Sequence, residues 1–364
     1  MSIDKIVSLC KRRGFVFQSS EIYGGFKAVY DYGPLGVALK NNISKVWWKA
    51  MTQLHENIVG LDSAIFTHPK IWEASGHVGA FNDPLVDCKQ CKARYRADEL
   101  STDTHPEWEK MTCPNCGSKG SFTDPRQFNL MFKTSIGPIE DGSSVAYLRP
   151  ETAQGIYVNY LLVQNAMRLK VPFGIAQVGK AFRNEIVARN FIFRTREFEQ
   201  MEMQYFVNPK NDNEALQEWK AKRFDFYSDL GINSKKLRFQ EHGENDLAHY
   251  AKEAWDIEYE FPFGWSEIEG IHNRTDYDLS QHQEFSGKKM EYFDQQNNER
   301  FFPYIIETSA GLNRIMLAVL SDSYWEDEEN NRVVMKLDPK IAPVLAVVCP
   351  LVKKDGLPEI GRKI

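Results

Sequence analysis

The sequence predicts an α+β protein, in which amphipathic helices are interspersed with strands that alternate apolar and polar residues. Several segments repeat apolar residues every three or four positions, which is typical of helices with one buried face. Others repeat them every second position, which is typical of strands. With 364 residues, of which 42% are hydrophobic, the chain can bury a sizeable core and corresponds to about two domains.

Charge and hydropathy exclude several classes of protein. Forty-five Lys and Arg residues against fifty Asp and Glu residues give a net charge of −5, which argues against coating DNA through a general basic field. The most apolar run, residues 341–352, is interrupted by Pro343 and Pro350, whereas a membrane span needs about 20 apolar residues. Charged residues stand where a signal peptide would be apolar. We expect a soluble, cytoplasmic protein with neither a membrane nor DNA as a partner.

The first clear element is a long helix over residues 34–55. Its apolar residues recur at helical spacing from Leu35 to Leu54, and Pro34 suits the first helical turn. A short strand over 64–66 follows, and Pro69 ends it.

The later elements are predicted from the same two periods. They are a helix over 152–170, strands over 175–187 and 198–207, a helix over 212–230, and a strand over 304–308 that leads into a helix beginning near Leu312. The apolar run 341–352 predicts the first strand of a further domain. Only about a dozen residues follow it, too few for a core of their own. Either this strand docks on the preceding domain or the chain is truncated, and we favour truncation.

Four of the six cysteines form two close pairs, Cys88 with Cys91 and Cys113 with Cys116, with 21 residues between the pairs. This spacing predicts a tetrahedral zinc site in a small ribbon. Four thiolates leave no open position for water, so the metal would be structural. Residues 85–126 carry seven basic and seven acidic side chains, which argues against a stand-alone nucleic-acid finger.

Polar side chains fall at every second position in three predicted strands. They are Arg183 and Glu185 in the first, Gln200, Glu202 and Gln204 in the second, and Glu307 and Ser309 in the third. Exposure of one sheet face to solvent accounts for this pattern equally well. Arg189, Arg194 and Arg196 lie between the first two strands, and a cluster of arginines suits an anionic ligand such as a polyphosphate.

These segments resemble the class II aminoacyl-tRNA synthetases. Phe-Arg-Asn-Glu at 182–185 and the stretch 194–202 resemble motif 2, the helix and strand ending at Pro69 resemble the dimer-forming motif 1, and 309–314 resembles motif 3. Segments 94–98, 128–132, 147–155 and 273–279 resemble the dimeric glycyl-tRNA synthetases, so that the resemblance covers nearly the whole chain. Asn313 departs from motif 3, where many relatives have glycine.

The resemblance implies a class II catalytic core over residues 1–340, with an antiparallel sheet flanked by helices. It implies a small zinc-ribbon-like insertion over 85–126 and a helical and strand insertion over 208–260. Residues 341–364 would be the start of a C-terminal anticodon-binding domain, cut short near its beginning.

The implied activity is that of a glycine–tRNA ligase. Glycine and ATP would give glycyl-adenylate and pyrophosphate, and the glycyl group would pass to the 3′ end of tRNA(Gly). The implied cofactors are Mg²⁺ with ATP and structural Zn²⁺, and the implied assembly is a homodimer. Two alternatives stay open: a class II enzyme for another small amino acid, and a non-catalytic synthetase-like module that binds tRNA or a nucleotide.

The resemblance also implies site residues. Arg183 and Arg314 would be catalytic, on the α- and γ-phosphates, and Glu267 would be a magnesium ligand. The implied ATP site is Arg183, Asn184, Glu185, Phe193, Arg194, Phe198, Glu267, Ile268, Gly311 and Arg314. The implied glycine site is Arg96, Glu151, Phe198, Glu202, Glu307 and Ser309, and the implied metal ligands are Cys88, Cys91, Cys113 and Cys116.

Overall fold

The computed structural model describes residues 2–101, 108–137, 145–187, 189–243, 247–248 and 250–364. Its helices, in chain order, are α1 (Ile3–Arg13), α2 (Pro34–Trp48), α3 (Pro69–Ala74), α4 (His77–Ala80), α5 (Ala97–Leu100), α6 (Ala153–Met167), α7 (Asp212–Asp229), α8 (Tyr277–Ser286), α9 (Leu312–Ser323) and α10 (Leu357–Lys363). A π-helical turn, Lys49–Gln53, extends α2. None of the described helices is both long and apolar enough to cross a membrane.

The strands, in chain order, are β1 (Val16–Gln18), β2 (Tyr30–Tyr32), β3 (Ile58–Gly60), β4 (Phe66–Thr67), β5 (Asn82–Asp87), β6 (Arg94–Arg96), β7 (Arg126–Asn129), β8 (Lys133–Ser135), β9 (Val145–Leu148), β10 (Phe173–Phe182), β11 (Glu197–Val207), β12 (Leu237–Glu241), β13 (Glu253–Phe261), β14 (Gly264–Asn273), β15 (Tyr292–Asp294), β16 (Glu299–Phe301), β17 (Tyr304–Gly311), β18 (Tyr324–Asp327) and β19 (Arg332–Met335).

Seven strands form the central sheet, in the order β12-β13-β14-β17-β11-β10-β3. Every neighbouring pair is antiparallel except β10 and β3, which run parallel. The predicted antiparallel sheet is therefore confirmed for six strands, and the seventh makes the sheet mixed. Residues 208–260, of which 244–246 and 249 lie outside the described part, supply α7 and the strands β12 and β13 at one side of the sheet.

The two faces of the sheet have different cores. Side chains of α2, α7 and α9 pack on one face against residues such as Met203 and Ile306. On the other face, α6 and α8 pack against Phe206 and Ile305. Since neighbouring residues of a strand point to opposite faces, Glu202, Gln204 and Glu307 lie on the α6 and α8 face, beyond its apolar cluster.

Most predicted elements are confirmed, with small shifts at their ends. The helix predicted over 34–55 is α2 with its π-helical turn, and Pro34 is its first residue. The helices predicted over 152–170 and 212–230 are α6 and α7, and Gly231 adopts a positive φ just after α7. The strand predicted at 64–66 is the two-residue β4.

One strand prediction is wrong at its end, and another is wrong altogether. The strand predicted over 175–187 ends at Phe182, because the next amides bond elsewhere: Arg183 N–H donates to Arg196 O and Asn184 N–H to Leu130 O. Arg183 and Glu185 therefore do not share a strand face. The apolar run 341–352 contains no strand. Ile341 is buried in the main core, whereas Leu345 and Leu351 are exposed, so no second core forms around this run in the described structure.

Candidate active site

A cleft opens on the polar face of the central sheet, with a cavity volume of about 200 Å³. Strand register builds its floor from rows of residues that lie side by side across the sheet. One row joins Glu202 of β11 to Ser309 of β17, and the next joins Gln204 to Glu307. His272 of β14 continues the second row beside Glu307. Directly paired residues of antiparallel strands lie about 4.5–5.5 Å apart, so the sheet itself brings these groups together.

The predicted polar face of β11 is confirmed, but solvent does not explain it. Gln200, Glu202 and Gln204 are 8%, 2% and 0% exposed. Met201 and Met203 fill the opposite face and are fully buried. Buried polar groups need partners, and the amide of Gln204 supplies two: its Nε2 donates to Glu202 Oε1 at 3.1 Å and to Glu307 Oε2 at 2.8 Å.

Glu307 is the most strongly paired carboxylate of the cleft floor. Arg274 Nη1 donates to its two oxygens at 3.3 and 3.1 Å, and His272 Nδ1 lies 2.9 Å from Oε1. Arg274 in turn forms a bidentate pair with Asp278. Burial opposes ionisation of Glu307, but Arg274 and His272 outweigh it and hold the pKa of Glu307 below its usual range. Glu307 is therefore a fixed negative charge.

Glu202 lies in the opposite electrostatic situation. Burial, together with the charges of Glu307 and Glu151, raises the pKa of Glu202 well above its ordinary value. The hydroxyl of Thr152 donates to its carboxyl group. In a cleft without a cation, burial and the neighbouring carboxylates therefore favour the protonated form of Glu202, as expected when like charges share a buried site.

Glu151 is the third acid of the cleft. His77 Nε2 lies 3.3 Å from its Oε2 and Gln154 Nε2 donates to its Oε1 at 3.2 Å. Burial works against ionisation, yet His77 and Arg274 lower the pKa of Glu151 to about 2. Two ionised carboxylates and one protonated carboxyl thus meet at this end, which favours a cationic ligand.

Arg183 lies between two aromatic rings, although it follows the end of β10. Its guanidinium carbon is 5.3 Å from the ring centres of both Phe81 and Phe198. Its Nε donates to Pro150 O at 3.0 Å. Stacking on two rings fixes the plane of the guanidinium, so the remaining N–H groups are pre-oriented in the cleft.

Arg314 is held at the other side of the cleft by Phe193 and Glu267. Its guanidinium carbon lies 4.4 Å from the Phe193 ring centre. Nη1 lies 3.0 Å from Glu267 Oε2, and Nε donates to Phe193 O at 3.2 Å. The Glu267 side chain is 44% exposed, so the ion pair is screened by water and open to exchange with a ligand.

A β-bulge aims Glu267 into the cleft. Glu267 pairs with Glu258 and Glu269 pairs with Ile257, which leaves Ile268 as the extra residue. The bulge reverses the alternation of faces: Glu267 and Gly270 line the cleft, whereas Ile268 is buried in the main core. Bulges commonly redirect a side chain beside a binding site.

Glu185 and Arg194 complete the side of the cleft formed by the segment between β10 and β11. Burial raises the pKa of Glu185, and the charges of Arg194 and Arg183 partly offset this effect. Glu185 is 9% exposed. A carboxylate beside two guanidinium groups can accept a hydrogen bond from an amino group while the arginines face anionic oxygens.

Twelve of the predicted site residues line the cleft. They are Glu151, Arg183, Glu185, Phe193, Arg194, Phe198, Glu202, Glu267, Glu307, Ser309, Gly311 and Arg314.

Three predicted residues lie outside the lining. The Ile268 side chain is in the core, so only its backbone could meet a nucleotide. Asn184 follows Arg183 outside the lining residues. Arg96 pairs with Asp83 at 2.8 Å and with Asp98 at 2.6 Å, and its charge reaches Glu185. Arg96 is therefore nearer to the Glu185 side than to the acidic floor.

Several lining residues were not predicted. They are Ile192, Thr195, Gln200, Tyr250, Gly270, His272, Arg274 and Asn313. Gln200 shows the same two-residue period as Glu202, which was a usable signal. Arg274 lies in the segment 273–279 that resembles the glycyl-tRNA synthetases, but the resemblance did not assign it to the site, because a buried arginine cannot be distinguished from a surface one by sequence. The Asn313 side chain supports motif 3: its Oδ1 accepts from Glu199 N–H at 2.8 Å and its amide donates to the Tyr32 hydroxyl.

The four paired cysteines converge as predicted. All four Sγ atoms lie within 4.8 Å of one another, with 3.8 Å between Cys88 and Cys116 and 3.7 Å between Cys91 and Cys113. Four zinc–sulfur bonds of about 2.3 Å in a tetrahedron place the sulfurs about 3.8 Å apart. The donor set and its spacing therefore fit zinc.

Both cysteine pairs have the same local turn. Lys92 N–H donates to Cys88 O and Gly117 N–H to Cys113 O, each at 2.9 Å, and both donors have positive φ angles. Strands β6, β5 and β7 form the sheet beside them. Residues 102–107 of the predicted insertion lie outside the described residues, so the ribbon itself stays a prediction.

Comparison with known proteins agrees with this geometry. The family model for the tRNA synthetase class II core domain (G, H, P, S and T) matches residues 132–323, which include strand β10 and the cleft-lining strands β11, β14 and β17. The fold and the cleft thus define a class II tRNA synthetase core.

Individual relatives show to which family within this class the chain belongs. A glycine–tRNA ligase of Treponema denticola is 60% identical over all of this chain and 81% of its own length. Those of Borreliella burgdorferi and Thermobifida fusca are 58% and 53% identical, over all of this chain and 81% and 82% of their lengths. The chain belongs to the glycine–tRNA ligase family.

Proposed function

We propose that this chain activates glycine with ATP in the cleft and transfers the glycyl group to the 3′ end of tRNA(Gly). The observation that carries the proposal is the division of the cleft: three acidic side chains at one end, and arginines held by aromatic rings at the other. An amino acid presents an ammonium group to the first end, and a nucleoside triphosphate presents phosphates to the second.

The first step joins two anions. An oxygen of the glycine carboxylate forms a bond to the α-phosphorus, the bond from that phosphorus to the bridging oxygen breaks, and pyrophosphate leaves. No covalent enzyme intermediate or general base is needed, so the protein contributes alignment and charge neutralisation. Arg183 is the residue for the α-phosphate and the attacking carboxylate, because Phe81 and Phe198 fix its plane.

Arg314 and Arg194 would hold the outer phosphates, and Glu185 would accept from the adenine amino group while Phe198 stacks on the ring. Glu267 would supply one carboxylate to Mg²⁺. A single half-exposed carboxylate fits this ion, which is usually held by one or two carboxylates and the substrate phosphates. The ion would neutralise phosphate charge during pyrophosphate departure.

The acidic end would bind the glycine ammonium through Glu307, Glu151 and the deprotonated form of Glu202, with Ser309 beside them. Selectivity would come from the size of this end of the cleft. A side chain on the amino acid would overlap its wall, and such an overlap discriminates more strongly than a missing methyl group does.

Charging of tRNA(Gly) with radiolabelled glycine, alanine and serine tests this proposal. We expect glycyl-tRNA only, with alanine and serine at least about 100-fold poorer in kcat/KM. Equal charging with alanine or serine would favour a ligase for another small amino acid. Binding of ATP without any charging would favour a non-catalytic module.

We further propose that the cysteine cluster binds zinc and that the metal holds residues 85–126 as a small ribbon. The sulfur spacing supports this proposal. Extraction of zinc by a chelator is expected to increase amide hydrogen exchange in this segment and to leave β11 and β17 protected. Unchanged exchange after complete metal removal would contradict a structural role.

A homodimer is also part of the proposal. Helix α6 exposes Val158 and Leu162, one turn apart, with Leu162 69% exposed. Exposed apolar side chains grouped on one helix are typical of an interface. Leu162→Glu is therefore expected to shift the mass measured by light scattering from two chains towards one, and Leu351→Glu is a control at an exposed leucine outside both α6 and motif 1.

A further inference from the structure

Two histidines and an aspartate meet at the edge of the cleft, on three neighbouring strands. Asp256 lies in β13, His272 in β14, and His242 follows the last residue of β12. Asp256 pairs with Gly270, two residues before His272, and His242 N–H donates to Ala254 O. This register places all three side chains on the face of the sheet that carries Glu307.

The potential ligand atoms of the three residues are close together. One ring nitrogen of each histidine and one carboxylate oxygen all lie within 4.8 Å of one another. His242 Nε2 is 2.9 Å from Asp256 Oδ2. Bonds of about 2.0–2.1 Å to a shared ion would place such atoms about 3.3 Å apart. Small rotations of the three side chains would therefore bring all three ligand atoms within bonding distance of one ion.

His272 supplies an independent observation. Its Nδ1 is hydrogen-bonded to Glu307, but its Nε2 is buried and has no hydrogen-bond partner among the described residues. A buried nitrogen without a partner is unfavourable, because it has lost its hydrogen bond to water and gained none in return. An ion bound at Nε2 would satisfy it.

Gly270 keeps the space beside this nitrogen open. A Cβ atom at position 270 would lie 2.9 Å from His272 Nε2 and 3.6 Å from Asp256 Oδ1. Any other residue would therefore fill the gap between the two ligands. The gap faces the cleft, since Gly270 and His272 both line it.

We propose that His242, Asp256 and His272 form a second metal site, which takes a divalent transition-metal ion such as Zn²⁺ or Co²⁺. Imidazole ligands favour these ions over Mg²⁺, and two histidines with one carboxylate leave a coordination position open. Glu307 on the opposite nitrogen of His272 forms the carboxylate–histidine–metal arrangement that orients a ligating imidazole. The site is separate from the four cysteines and shares no ligand with the proposed magnesium site, although the charge of Glu267 reaches Asp256 and His272.

Native mass spectrometry with zinc titration tests the site in the full chain. We expect Asp256→Asn and His272→Ala each to bind one zinc ion fewer than the unmodified chain, with the affinity of the lost site reduced by at least about 100-fold, more than an outer hydrogen-bond partner contributes. His55→Ala, at a histidine outside the cluster, should keep the full number. Mg²⁺ at the same concentration should not compete.

Cys113→Ser separates the two sites, since it should weaken the cysteine site and leave the His–Asp–His site intact. Anomalous scattering from a cobalt-soaked crystal of the unmodified chain tests the site even if a variant fails to fold. An anomalous peak between His242, Asp256 and His272 would support the proposal. An equal zinc count in Asp256→Asn and the unmodified chain, or no anomalous peak at this position, would overturn it.

Discussion

Glu202 and Glu307 lie on adjacent strands of one sheet face and yet differ in charge. Arg274 and His272 lower the pKa of Glu307 and so hold it ionised, whereas burial and its acidic neighbours raise the pKa of Glu202 and so favour its protonated form. A bound ammonium group would reverse the second effect, because a cation favours the charged form of a carboxyl group. Glycine binding is therefore expected to release a proton.

The coupling between glycine binding and the proton of Glu202 makes the affinity for glycine fall as the pH falls. Above the raised pKa of empty Glu202, the carboxylate is already charged and glycine affinity is flat. As the pH falls through that pKa, the ammonium must displace a proton, and affinity falls by up to about tenfold per pH unit. Calorimetry of glycine binding between pH 5.5 and 8, in two buffers of different ionisation enthalpy, measures the released protons.

Glu202→Gln is the matched variant, and it should bind glycine more weakly with no proton release. Glu307 should remain ionised between pH 5.5 and 8, so it should not contribute to the pH dependence of the affinity for glycine. A flat affinity with no released proton in the unmodified chain would show that Glu202 is charged before glycine arrives.

Arg183→Lys tests whether a fixed guanidinium plane is required. Lysine keeps the charge but loses the fork and the stacking on Phe81 and Phe198. We expect kcat/KM for glycine-dependent ATP–pyrophosphate exchange to fall about 10²–10³-fold, the range measured for loss of one charge-stabilising donor. Arg238→Lys is the control, because Arg238 also stacks on a ring, that of Trp265 at 4.5 Å, and is not among the cleft-lining residues. Equal loss in both variants would contradict the assigned role.

At the scale of elements, helix α7 supports the bulged strand β14 from the other side of the sheet. Arg223 Nε donates to Glu269 Oε1 at 2.7 Å and the Tyr227 hydroxyl to Oε2 at 2.5 Å, and Arg223 and Glu269 are both buried. Glu269 is two residues from Glu267, so this network fixes the bulge that aims Glu267 into the cleft.

Arg223→Met should be strongly destabilising, because it leaves the carboxylate of Glu269 buried without its counter-charge. We expect a loss of about 3–5 kcal/mol in the free energy of unfolding, measured by urea denaturation. Lys222→Met, at the neighbouring position, removes an exposed pair with Glu218 and should cost less than about 0.5 kcal/mol. Similar losses in the two variants would show that the buried pair does not support β14.

The same elements show what sequence could predict. Strand β11 was predicted nearly to the residue, because polar and apolar residues alternate from Gln200 to Tyr205 in its middle. The face of Glu267 could not be predicted, since the bulge at Ile268 breaks that alternation and depends on pairing with β13. The end of β10 was missed for a similar reason: the amides of Arg183 and Asn184 bond to Arg196 and Leu130, which are distant in sequence.

At the scale of the whole molecule, the central sheet brings together cleft-lining residues of β11, β14 and β17, from Phe198 to Gly311, which span more than 100 positions of the sequence. Motif resemblance identified most of the cleft before the fold was known. It included Arg274 in the segment 273–279 without a role and did not include His272, although both set the charge of Glu307, because their role arises from tertiary pairing. The net charge of −5 likewise gave no indication that acids and arginines separate into two ends of one cleft.

The central claim is that this cleft forms glycyl-adenylate. Glycine-dependent exchange of labelled pyrophosphate into ATP by the purified chain measures that step without tRNA. We predict exchange with glycine that falls at least about 100-fold when alanine replaces it. A folded chain that shows no exchange with glycine, or equal exchange with alanine, would contradict the account.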